Sequence, residues 1–303
     1  MPTTCVSATA RGCRFRMVGG WKTAARAAIL PSPLQAEARS SRPTGVCCTV
    51  APVSQRRSLR AQGDTTATSP ASPAAALTIG IALLAWMAGW VTGNLVASAV
   101  LGLAGNAHQA AVDRPVWLNA SMAVALWVPQ LAALVVVSRA FASGHPARDF
   151  SFRFAPRDLL GIPIGVVSQL ALLPLIYWPL QKAWPDTFAD KQLEQNARDL
   201  YDRAHGGWVV ALIMMVVIGA PVVEELVYRG LLQGAARRRL GLVWSVLVVA
   251  AFFALIHFRP VEYPGLFAFG LVLGCCAALT NRLGIGIVSH MAFNATALVL
   301  VAR

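Results

Sequence analysis

Residues 216–239 read VVIGAPVVEELVYRGLLQGAARRR. An apolar run built for lipid is interrupted by Glu224, Glu225 and Arg229 and then ends in Arg237, Arg238 and Arg239. A carboxylate at the bilayer centre costs about 2.5–3.5 kcal/mol on insertion scales, and two at close range raise each other's proton affinity. Arg229 follows Glu225 one helical turn on, where the two can pair. Glu224 is left on a different azimuth. Whether this segment spans a membrane decides the fold, and the composition around it says that it does. The 303 residues are 56% hydrophobic and 13% charged, with a mean hydropathy of +0.58. A water-soluble domain carries about 25% charged residues.

Working outward, apolar runs of spanning length lie near 75–104, 115–138, 159–180, 207–234, 241–258, 264–280 and 284–302. The expectation is an all-α, polytopic transmembrane helical bundle of about seven spans. The third carries Pro163, Pro174 and Pro179 and should be kinked. Arginines cluster in alternate loops: Arg139, Arg148, Arg153 and Arg157, then Arg237–Arg239, then Arg282. The intervening loops are neutral or acidic, which places the N-terminus in the cytoplasm and the C-terminus outside.

The formal charge of +13 does not indicate nucleic acid. Ten cations against two acids lie before residue 76, leaving +8 in the tail and +5 scattered between spans. Residues 1–75, rich in Ala, Ser, Thr, Arg and Pro, have too little apolar surface to offset chain entropy and read as a disordered basic extension. Transit-peptide composition makes organelle targeting a minor alternative, and Met17 or a later residue could be the real start. Residues 76–204 form the first spans and a connector, and 205–303 a transmembrane core. Cys5, Cys13, Cys47, Cys48, Cys275 and Cys276 show no CxxC spacing, so no zinc knuckle or disulfide framework is expected.

Within the connector at 181–206, Leu193, Ala197, Leu200 and Ala204 recur at helical spacing between Trp184 and Trp208. This predicts a short interfacial helix, either a plain connector or a gate for substrate. GxxxG spacing at Gly89/Gly93, Gly161/Gly165 and Gly270/Gly274 predicts close helix packing and no function.

The remaining intramembrane polar groups are few. His257 follows Phe253 by one turn, and His290 and Asn294 share a helix face. If the chain turns at Leu240–Gly241, Glu224 and His257 each lie 16 to 17 residues from the turn, about 25 Å at 1.5 Å per residue. His290 lies only about 10 Å past the Arg282 turn, so the three meet only if the hairpin projects beyond that turn. Each element has a plain structural reading: a buried ion pair for Glu225 and Arg229, an interfacial His257, an interhelical hydrogen bond for His290 and Asn294. Together, one free carboxylate and two imidazoles suit the activation of water.

EELVYR, FALIH and HMAFN, in that order, match EExxxR, FxxxH and HxxxN. The chain from about 205 to 300 thus resembles the CPBP family of intramembrane proteases, which includes CAAX prenyl endopeptidases and Abi-like bacteriocin self-immunity proteins. The resemblance implies an integral-membrane endopeptidase with Glu224 activating water, Glu225 and Arg229 supporting it with Phe253, and His257, His290 and Asn294 completing the site. Asn294 and one histidine would stabilise the oxyanion. HExxH is absent; Glu224, His257 and His290 could ligate zinc or act on water directly. The implied partner is a membrane-associated protein or peptide within a lipid bilayer, in a bacterial cell membrane. The alternatives are an immunity or regulatory protein that acts by binding and, from another class, a proton-coupled carrier. A carrier should show an internal repeat, and the polar set has no counterpart in the first three spans.

Overall fold

The computed structural model describes residues 77–106, 108 and 113–303, and the regular structure among them is helical. The basic extension, with Cys5, Cys13, Cys47 and Cys48, lies outside the described residues. Six helices are long and apolar enough to cross a membrane: α1 (Ile79–Leu103), α2 (Val116–Phe141), α3 (Pro156–Ala183), α5 (Trp208–Leu255), α6 (Pro260–Thr280) and α7 (Gly284–Val301). Between α3 and α5 lies the shorter α4 (Asp190–Asp202).

Six helices supply the seven expected passes because α5 folds back on itself. Its 48 residues are interrupted at Gly241, whose φ of 74° and ψ of −177° are not helical. The Tyr228 and Phe253 rings lie 5.2 Å apart, whereas a straight helix would hold these positions roughly 37 Å apart. The two arms, residues 208–240 and 242–255, take the places expected for spans four and five. In α3 the helix widens to π hydrogen bonding over Ser168–Leu172, between Pro163 and Pro174, as expected where prolines remove helix donors.

The outer faces are apolar. Leu84, Leu175, Trp178, Val243 and Trp244 are each more than 60% exposed, a distribution suited to hydrocarbon rather than water. The chain is a multi-pass membrane protein. Inside, all three GxxxG pairs are helix seams. A Cβ at Gly89 or Gly93 would meet the α2 backbone at Gln130 and Leu126, both at 3.0 Å. Gly161 and Gly165 face the α7 backbone at Ile285 and Ser289, and Gly270 and Gly274 face Ala250 and Val246 in the second arm of α5.

Polar groups pin one end of the bundle. Arg282, in the α6–α7 turn, donates from Nε (3.0 Å) and Nη2 (2.7 Å) to Asp158 Oδ1 at the start of α3. Asp149 accepts from Ser138 Oγ at 2.6 Å and from the backbone and hydroxyl of Ser143. At the other end α4 lies where the connector helix was expected. Its Ala197 and Leu200 pack against Leu212, Leu298 and Val301, so its apolar stripe faces the bundle.

Candidate active site

The first arm of α5 and α6 run side by side in the same direction. Arg229 Nη2 donates to the Gly270 carbonyl (3.3 Å), Gln233 Nε2 to Gly274 (2.9 Å) and Arg237 Nη1 to Ala278 (3.4 Å). The constant offset keeps one register over two turns, and the small residues on α6 give the long side chains room. Arg237 also donates to Asn281 Oδ1 at 2.7 Å, so Gly241 lies about one turn beyond the α6–α7 loop. The hairpin projects past that loop, and this brings Glu224 to the depth of His290.

From Glu225 to Gln233 the helix takes the wider π form, a feature frequent at functional sites. The neighbouring carboxylates face different surroundings. Both side chains of the Glu225–Arg229 pair are fully buried, with Nη1 and Oε1 2.9 Å apart. The guanidinium also lies 4.5 Å above the Phe253 ring, a favourable cation–π arrangement. Glu224 keeps 26% of its side-chain surface exposed, and its Oε2 lies 3.8 Å from His290 Nε2.

His290 Nδ1 is 3.2 Å from Glu225 Oε1. An ionised carboxylate only accepts hydrogen bonds, so Nδ1 carries a proton in this contact, and Nε2 faces Glu224. His257 is oriented similarly: its Nδ1 is 2.7 Å from the Phe253 carbonyl, an acceptor, which leaves Nε2 free. Phe253 is the packing hub, 1% exposed, with its ring edge-on to His257 (4.8 Å) and His290 (6.0 Å). Asn294 Nδ2 donates to the Val216 carbonyl at 2.8 Å, within the π-widened stretch Met214–Gly219. One amide proton of Asn294 therefore ties α7 to α5.

Glu224, Phe253, His257, His290 and Asn294 line one cavity of about 520 Å3, capped by Leu193, Ala197 and Leu200 of α4. The structure thus brings together every side chain singled out in the sequence, with Glu225 and Arg229 sealed behind. Among the described residues no three His, Cys, Asp or Glu side chains gather closely enough to hold a metal ion. The pattern reading missed several neighbours. Phe269 sits edge-on to His290 at 5.5 Å and stacks on Phe293. Glu262 is a further carboxylate on the cavity wall, ion-paired with Arg259 at 2.6 Å. Tyr177 donates to the Val261 carbonyl and accepts from Gly265 N–H, which fastens the start of α6 to α3. Only the Gly270/Gly274 spacing hinted at these, by marking α6 as a helix against which others press.

Residues 206–296, about a third of the chain, match the family model for type II CAAX prenyl endopeptidases described as Rce1-like. This part of the chain is similar to the Rce1-like family. The match begins at the start of α5 and runs into α7, so the motifs and all the cavity residues they contain fall inside the Rce1-like segment. No curated protein and no solved structure matches the chain. The resemblance read from the three motifs and the family match agree on a CAAX-protease-like membrane core.

Proposed function

We propose that this protein is an integral-membrane endopeptidase in which Glu224 activates water for attack on a peptide carbonyl. The observation that carries the reading is the split between adjacent carboxylates. Glu225 is sealed against Arg229, while Glu224 faces the cavity with His290 Nε2 3.8 Å away. That gap exceeds a direct hydrogen bond and is suited to a bridging water. In the proposed reaction Glu224 takes a proton from water as the oxygen attacks the substrate carbonyl. The C–N bond then breaks, and Glu224 passes the proton to the departing amine. Asn294 stabilises the oxyanion with its second amide proton, His257 orients water through Nε2, and Glu225 holds His290 through Nδ1. The apolar lining from α3, α4 and α7 suits a membrane-associated substrate, and the family match points to the CAAX type.

The test is cleavage of a peptide mixture, C-terminally prenylated peptides included, by the full chain in nanodiscs. Wild type is expected to turn over, and Glu224→Gln to lose about 10²–10⁴-fold with an unchanged melting temperature. A chelator arm tests zinc separately. No turnover by folded wild type would sink the protease reading in favour of a binding or immunity role.

A further inference from the structure

With the occupant a peptide, as in the protease reading, we infer that Gln169 of α3 holds it in the Glu224 cavity, its side-chain carbonyl accepting a hydrogen bond from a backbone N–H. α3 presents Gln169, Leu173, Tyr177 and Gln181 to the cavity, four residues apart along one helix face. Two of the three polar side chains in this stripe are engaged. The Tyr177 hydroxyl joins the Val261 carbonyl to the Gly265 N–H, and Gln181 Nε2 donates to Asp190 Oδ1 at 2.7 Å. Gln169 is the exception: its Oε1 is buried and meets no donor among the described residues. A walled-in acceptor without a partner is costly. The last torsion of a glutamine is soft, and turning the amide about it brings the carbonyl to the cavity without disturbing the helix.

The backbone of the same residue is an independent observation. In the π stretch Ser168–Leu172 the N–H of Leu173 bonds the Ser168 carbonyl. In that register the donor for the Gln169 carbonyl is residue 174, a proline, which has no N–H. Pro174 itself lines the cavity. Two acceptors at one point of an apolar wall suit a ligand that brings N–H donors and little charge, and a peptide backbone is one. The α3–α7 seam sets that point beside the proposed reacting groups. A Cβ at Gly161 would meet Ile285 and Ser289, and one at Gly165 would meet Ser289 and Phe293. Each step of four residues on α3 matches four on α7, so Gln169 falls beside Phe293 and Ala297, which bracket Asn294. All three line the cavity, so a peptide whose carbonyl lies between Glu224 and Asn294 passes Gln169.

The test uses the full chain in nanodiscs and one C-terminally prenylated peptide, with versions in which each backbone N–H outside the scissile bond is replaced in turn by an ester oxygen. Binding is measured in the Glu224→Gln background, where it does not depend on turnover; KM and kcat are measured with Glu224 intact. Gln169→Met keeps the length of the side chain and removes its acceptor. It should weaken binding and raise KM by about 2–12-fold with kcat unchanged. Its Tm should match that of the parent, because the lost group has no internal partner. One ester position should cost the parent chain the same factor and cost Gln169→Met nothing. If Gln169→Met fails to fold, Gln169→Asn, whose amide falls one methylene short, carries the same comparison. Binding that follows this pattern without turnover would sink the protease reading and leave Gln169 as a peptide-binding residue. Equal binding by the parent and Gln169→Met, as when a water satisfies the amide, would overturn the proposal. So would a set of esters in which no cost vanishes in the variant, or no binding of the peptide by folded protein.

Discussion

At the scale of single residues, one position along a helix separates two carboxylates into different chemistry. Glu225 points into the bundle, where Arg229 and His290 meet it; Glu224 points into the cavity. Removing half of a buried pair strands the other charge, so Glu225→Gln should destabilise by about 3–5 kcal/mol, read by thermal unfolding in detergent. Glu225→Gln/Arg229→Met should recover part of that loss; a double variant no more stable than the single would mean that the pair is not what sets the cost. A second residue-scale case is Asp149. Burial alone would raise its pKa, but hydrogen bonds from Ser138 and Ser143 outweigh burial and hold the carboxyl below its ordinary value. A depressed folded pKa contributes stability above the unfolded value of about 4 that is lost as pH falls through the folded one. The Tm of wild type should therefore fall more steeply than that of Asp149→Asn below about pH 4, and parallel curves would refute this.

At the scale of elements, the site depends on how helices turn and how closely they approach. Gly241 reverses α5 with a positive φ and an extended ψ, a backbone region open essentially to glycine alone. Nothing lies within 4 Å of a Cβ placed there, so any cost of Gly241→Ala is backbone strain, expected at about 1–3 kcal/mol. A variant as stable as wild type would show that the turn can be made another way. The α3–α7 seam is the packing counterpart. A side chain at Gly165 would strike the Ser289 backbone and Ala292, next to His290. Gly165→Leu should therefore push α7 outward and lower turnover together with Tm, whereas Gly102→Leu, where a Cβ meets nothing, should change neither. The connector helix α4 was legible from spacing alone. Its place over the cavity was not, because a hydrophobic stripe says that a helix face is covered and not by what.

At the scale of the whole molecule, polarity along the bundle axis predicts orientation. The turns carrying Arg148, Arg153, Arg157, Arg237–Arg239 and Arg282 share one end, and α4, with Asp190, Glu194, Asp199 and Asp202, lies at the other. The positive-inside rule assigns the first end to the cytoplasm. In intact cells, a membrane-impermeant thiol reagent should therefore label Lys191→Cys and not Arg238→Cys, in a background lacking the native cysteines. The reverse pattern would invert the topology. Because α4 caps the cavity that Glu224 lines, the same labelling fixes the side from which a substrate would reach Glu224 in the proposed reaction.

By itself the sequence determined the helical membrane class, the helix pairs brought close by small residues, and the small polar set of Glu224, His257, His290 and Asn294 that the cavity gathers. Lipid enforces the first by requiring every backbone donor and acceptor to be satisfied within a helix. It enforces the last by making each ionisable group in a span costly enough to need a reason. Only the tertiary structure decided that the fourth and fifth passes are arms of one folded helix and that the hairpin overshoots the α6–α7 loop far enough to set Glu224 beside His290. It alone also set Phe269, Phe293, Glu262 and Tyr177 around the site. Those facts depend on register between helices distant in sequence. Register is set by many side chains packing at once, such as Arg229, Gln233 and Arg237 on the carbonyls of α6, and no local pattern along the chain encodes it.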